Sequence, residues 1–274
     1  MKNYLLRFII SSLIFASCNS ESKKDLRYKV FNSYMEGNYS SSLNQINQLI
    51  YKYPNEHDFY FLKSKIEFKS RQFNEAERDI QKAISLNPEI PDYYFVYGEV
   101  LVKKNKLEEA KNVFKICIAK DTLHEEAYKE YAGLLNEKGE YDAAYVLINK
   151  AISLNPNSSE NFNRIGIIQE SRGNYRNAID DYCLSIKLGN NSFKIFFNRA
   201  MAYGHLGEYE LSIRDLSKAI EIDSSKGNSF FNRGYMYYLL GDTQNACLDW
   251  QKGKERNDED SKKAVEKYCL TKKI

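Results

Sequence analysis

Between Lys23 and Asp260 the apolar residues recur at helical spacing, and the pattern is interrupted at regular intervals by glycine, asparagine or proline. The interruptions have a period. AISLNP at 83–88 returns at 151–156, and FFNRA at 196–200 is followed by FFNRG at 230–234, one 34-residue step later. Seven windows of 34 residues fit without insertion or deletion: 23–56, 57–90, 91–124, 125–158, 159–192, 193–226 and 227–260. Within each window, position 20 is always small (Ser42, Ala76, Ala110, Ala144, Ala178, Ser212, Ala246). Position 24 is always large (Ile46, Ile80, Phe114, Ile148, Tyr182, Leu216, Trp250). Position 8 is small in six of the seven windows, with Val30 the exception, and position 4 is aromatic in six. Small residues at 8 and 20 let two antiparallel helices approach closely, and large ones at 4, 17 and 24 fill the space between them.

Each window therefore predicts a helix, a tight turn and a second helix. Gly37, Gly139, Gly173, Gly207 and Gly241 at position 15 suit a left-handed cap on the first helix. Pro54, Pro88 and Pro156 at position 32 stop the second. Arg71 and Asn105 replace the turn glycine, and Lys29, Lys63, Arg199 and Arg233 replace an apolar residue at position 7. Val30 and Leu49 crowd positions where other windows are small. After Asp260, Ser261 is expected to cap a final helix through Ala264, Val265, Tyr268 and Leu270, so that 261–274 hides the last apolar face.

The period and these columns resemble the tetratricopeptide repeat over residues 23–260. The resemblance implies an all-α, right-handed α-solenoid of seven 34-residue helix-turn-helix repeats with a C-terminal capping helix. It also implies that first helices line a concave surface, with positions 2, 5, 6, 9, 12 and 13 commonly facing the groove.

The first eighteen residues follow a different design. Lys2 and Arg7 precede a mostly apolar run from Leu5 to Ala16, the layout of a secretory leader. Phe15-Ala16-Ser17-Cys18 resembles a bacterial lipobox, with Phe15 where the family prefers Leu or Val. The resemblance implies a signal peptide at 1–17, lipid on Cys18 and a short tether to residue 22. Multiple acyl chains on one cysteine hold a protein stably on a membrane, where a single chain holds it only marginally. Asn19 stands where the familiar inner-membrane retention signal has Asp, so the expected location is the bacterial envelope at the outer membrane.

Composition narrows the function by exclusion. Apolar residues reach 43% and aromatics 14%, enough for packed helices. Lys and Arg total 40 against 37 Asp and Glu, and no basic tract marks a nucleic-acid arm. Cys117, Cys183, Cys247 and Cys269 lie far apart without CxxC or metal-ligand spacing, and read as small buried hydrophobes. GxxxxGK and GxGxxG are absent, no serine sits in a nucleophile elbow, and His57, His124 and His205 are widely separated. Position 13 makes His205 a solvated surface histidine. Glu108–Glu109 and Glu125–Glu126 fall at helix starts, where the dipole accounts for them. No enzyme, cofactor or metal is expected.

The groove positions implied by the resemblance carry two aromatic zones. Phe61, Phe68 and Phe95 form one, and Phe197, Phe231, Tyr235 and Tyr238 form the other. Asn198 and Asn232 at position 6 resemble asparagines that hydrogen-bond a bound backbone in related grooves, and Asn163 at position 5 is a further groove candidate. Between the zones lie Glu126, Glu130, Glu137, Glu160 and Glu170. Aromatics repeated on a helix face supply anchors for a protein or peptide, though the same rings could simply pack between repeats. The carboxylate clamp known in this family is missing, because Lys129 is followed by Gly133, and Asn198 by Asn228 and Asn232. The expectation is a non-catalytic scaffold binding a protein or peptide on its concave face. The alternative is a structural subunit of an envelope machine using its convex face.

Overall fold

The computed structural model describes residues 23–269. The leader 1–17, Cys18, the tether to residue 22 and residues 270–274 lie outside the described residues. Fifteen helices and no strand are found among the described residues. The chain divides into two compact units, one ending at Lys106 and one beginning at Leu107. The first unit holds helices Lys23–Met35, Tyr39–Lys52, His57–Lys69, Phe73–Leu86 and Pro91–Lys103. The second holds Leu107–Lys120, Glu125–Glu137, Tyr141–Leu154, Ser159–Ser171, Tyr175–Lys187, Phe193–His205, Tyr209–Ile222, Gly227–Leu239, Thr243–Lys254 and Glu259–Ala264, the last running into a π-turn at Val265–Cys269. In each unit consecutive helices pack on one another as hairpins.

The column logic explains the packing. All seven residues at position 20 are fully buried, and Ser42 and Ser212 satisfy their hydroxyls by donating to the carbonyls of Val30 and Ala200 at position 8. Glycine at position 8 is tied to an aromatic at 24. A Cβ on Gly166 would stand 2.5 Å from the Tyr182 ring, and one on Gly234 would stand 2.8 Å from Trp250. Where position 24 is aliphatic, position 8 is larger, as in Ala200 with Leu216 and Val30 with Ile46, all fully buried. Val30 and Leu49 therefore crowd nothing: they share one core cluster with Ile46 and Phe59.

The turns hold at every window. The five position-15 glycines have φ between 76° and 83°, and Arg71 and Asn105 adopt the same left-handed conformation at 62° and 58°. Three of the four cations at position 7 are answered by an aspartate sixteen residues on. Lys63 lies 2.8 Å from Asp79, while Arg199 and Arg233 make two-pronged pairs with Asp215 and Asp249 at 2.7 and 2.8 Å.

The end of the chain departs from expectation in two ways. Asp258, not Ser261, caps the last helix by accepting from the Ser261 amide, so the helix starts at Glu259. Ser261 is fully buried, close against Gly253. The cysteines differ too. Cys247 and Cys269 form a disulfide, Cα atoms 5.7 Å apart, that ties the terminal turn to the helix Thr243–Lys254. Cys117 is buried and free as expected, whereas Cys183 is exposed.

Candidate functional site

Phe61, expected on the groove, is instead a core residue. It is 6% exposed, with its ring 4.7 Å from that of Tyr93, and the ammonium of Lys65 lies over it. Tyr93 is fixed in turn: its hydroxyl donates to Asp58 at 2.8 Å and meets His57 Nδ1 at 2.5 Å, while Arg27 also reaches Asp58. Burial, with Asp58 beside it, pushes the Tyr93 phenol well above its usual range. Phe68 and Phe95 are half-buried and pack against the same cluster, and Phe68 meets Phe73 edge-on. The first aromatic zone is thus largely internal.

The second zone faces outward in part. Phe197 is half-buried, stacks on Phe193 at 5.6 Å and packs against Ala200, Leu216 and Met236. Phe231 is half-buried beside Trp250 and the disulfide, and its carbonyl accepts from the Trp250 indole. Tyr235 stacks on Phe231 yet is 43% exposed. Tyr238 is more than a third exposed although one face rests on Tyr268 and Trp250. Leu239 is 40% exposed. At spacing 231, 235, 238, 239 these side chains share one face of the helix Gly227–Leu239.

The asparagines differ among themselves. Asn232 donates to the Asn228 carbonyl one turn back, so half of its amide is committed. The Oδ1 of Asn163 is buried without a hydrogen-bond partner among the described residues. Asn198 is half-buried and makes no hydrogen bond recorded among the described residues; it faces an open cleft of about 510 Å³ lined also by Ile167, Glu170, Ser171, Tyr175 and His205.

That cleft lies between the first helices of repeats 5 and 6. Glu170 is half-buried there, accepting from the Tyr182 hydroxyl at 2.7 Å, and burial holds its carboxyl above the usual range against the opposing pull of that bond. His205 is exposed but not merely solvated: it stacks on Tyr175 at 4.4 Å with rings nearly parallel. By column alone His205 is a solvated surface residue and Tyr175, at position 17, a gap filler. The signal that finds them is joint: positions 9, 12, 13 and 17 of one repeat with 6 and 13 of the next.

Within the acidic middle, Glu130 and Glu160 are neutralised. Arg164 binds Glu130 at 2.7 Å and Glu160 at 3.2 Å, and Lys129 also reaches Glu160. Glu125 has a role beyond the helix dipole, since it is buried and accepts from Asn155 and Asn161. Among the described residues no group of His, Cys, Asp and Glu could hold a metal, and no helix is long and apolar enough to cross a membrane.

Comparison with known proteins bears on the fold. Residues 61–115 and 193–226 match family models described as tetratricopeptide repeat. No curated protein matches the chain. Among solved structures, a tetratricopeptide repeat protein from Parabacteroides merdae is similar at TM-score 0.68 and 18% identity, covering 90% of this chain and 98% of its own. PilF of Pseudomonas aeruginosa is similar at 0.66 and 16%, covering 76% and 95%. YrrB, described as having an unusual peptide-binding site, is similar at 0.57 and 19%, covering 68% and 97%.

Proposed function

Since this chain is a tetratricopeptide repeat protein, a fold that serves as a protein–protein interaction scaffold, we propose that it is a non-catalytic adaptor held at the bacterial envelope by lipid on Cys18 and binding a protein or peptide on its concave face. The observation that carries the proposal is the exposed apolar row Tyr235, Tyr238 and Leu239 on the first helix of repeat 7. Large apolar side chains standing together in water cost free energy until a partner covers them. Tyr235 stacks on Phe231 and Tyr238 rests on Trp250, contacts that hold the two rings and lower the entropy lost on binding. The Cys247–Cys269 disulfide supports export, because such bonds persist in oxidising compartments. A structural subunit using the convex face is the second reading; Ile116, Val146 and Leu184 on second helices are exposed in its favour.

Cys18→Ser tests the anchor. The parent should fractionate with membranes and the variant should be unprocessed or soluble; a variant that stays membrane-bound with the parent's mobility rules the lipid anchor out. Affinity capture from detergent-solubilised envelopes tests the scaffold. A partner retained by the parent and lost on Tyr235→Ala supports the concave face, and one retained by both points to the convex face.

A further inference from the structure

Many carboxylates of the second unit have cations beside them, as Glu130 and Glu160 have Arg164, Glu140 has Lys111 and Glu208 has Arg176. Glu170 does not. No Lys or Arg among the described residues forms an ion pair with it; its contacts are the Tyr182 hydroxyl and the field of His205. It is half-buried, yet it lines an open cleft of about 510 Å³, within the roughly 300–1,000 Å³ range of small-ligand sites and so roomy enough for a side-chain head group. A carboxylate taken from water without a cation is costly, and a cation arriving from outside would offset that cost.

The rest of the lining selects among cations. Tyr175 and His205 form a flat stacked pair at the cleft wall, with rings 9° from parallel. A guanidinium is planar, lies well on such a face and presents a fork of N–H donors, whereas an ammonium is a compact, strongly hydrated charge. Asn198, whose amide has no hydrogen bond recorded among the described residues, adds an acceptor for an N–H that the carboxylate does not take. We infer that this cleft receives an arginine side chain of the bound protein, its guanidinium paired with Glu170, laid on the Tyr175–His205 stack and bonded to Asn198. The inference rests on the scaffold reading and names the chemistry that one part of that surface recognises.

The probe is the peptide acetyl-Ala-Arg-Ala-amide, with its citrulline counterpart as the uncharged isostere, titrated into the full-length chain in detergent while the His205 ring signals are followed by NMR. The arginine peptide should shift these signals saturably. Citrulline should bind at least about tenfold more weakly, and Glu170→Gln, which keeps an acceptor for Tyr182, should weaken the arginine peptide by a similar factor. Equal binding of the two peptides to the parent overturns the inference whether or not the variant folds, as does full affinity in a folded Glu170→Gln. The probe reads the cleft alone. If it fails while Tyr235→Ala still abolishes partner capture, this inference falls and the scaffold reading stands.

Discussion

Phe61 and Phe231 hold the same position in repeats 2 and 7, yet one lies in the core of the first unit and the other supports an exposed Tyr235. The difference comes from what the following segment sets against each ring. Repeat 3 places Tyr93 on Phe61 and locks it through Asp58 and His57. Phe197 is followed by a repeat that carries only Ser229 at the position Tyr93 occupies. Phe231 is followed by the short helix Glu259–Ala264 and the turn Val265–Cys269, whose Tyr268 and Cys269 share its core cluster while Tyr235 and Leu239 stay in solvent. A column of identical aromatics therefore does not make a continuous surface. Burial is decided one repeat further on.

The largest effect should fall on the buried side of this comparison. Phe61→Ala removes a core ring and should cost about 3–5 kcal/mol in denaturant unfolding. A small change in midpoint would mean that the ring contributes little to the core.

Next comes the clip at the end of the second zone. Cys269→Ser opens a loop of 22 residues and should cost about 3 kcal/mol in the terminal segment, seen as faster amide exchange in Val265–Cys269 and around Trp250. Unchanged protection there would show that Tyr268 and Val265 hold the terminus without the disulfide.

The ion pairs offer a finer contrast. Position 7 supplies a cation to the position-23 aspartate in repeats 2, 6 and 7, but repeat 5 has Ile165 there, and Asp181 is half-buried. Burial, and then Asp180, push the Asp181 carboxyl up to about 7 from an ordinary 3.8. A raised carboxyl favours the folded state fully below about pH 4, and that contribution is lost as pH rises through about 7. Asp181→Asn should therefore match the parent's thermal midpoint near pH 4 and exceed it at pH 8. Parallel midpoints across that window contradict the assignment.

Arg71→Gly should give the smallest change. Arg71 holds a left-handed φ of 62° that glycine adopts freely, so stability should rise by up to about 1 kcal/mol. A loss would show that the Arg71 side chain contributes more than its backbone costs.

The parts legible in the sequence were those written in single columns. Small position 20, large position 24 and the turn glycines each state one local requirement, and the helices follow from them. What was not legible depends on pairs. Lys63 with Asp79, Arg199 with Asp215 and Arg233 with Asp249 make sense of position 7 only when two columns are read together. The Cys247–Cys269 bond spans 22 residues and belongs to no repeat motif. Ser261 looked like a cap because it precedes an apolar run, but Asp258 stands at the true start and Ser261 packs inward. Of the candidate site residues, Phe61 was misplaced because its burial depends on Tyr93. Tyr175 was missed because the gap-filling column also borders the cleft.

The proposed binding surface is the outward aromatic row of repeat 7. Phe197 and Phe231 are poor probes of it, since both are half-buried in core clusters and their loss would mix stability with binding. Tyr235 and Leu239 are 43% and 40% exposed and avoid that confusion. The direct measurement is the affinity of the captured partner for the parent and for Tyr235→Ala with Leu239→Ala, alongside both thermal midpoints. The double variant should lose about 2 kcal/mol, roughly thirtyfold in affinity, with midpoints nearly equal. Equal affinities at equal midpoints would contradict the proposal.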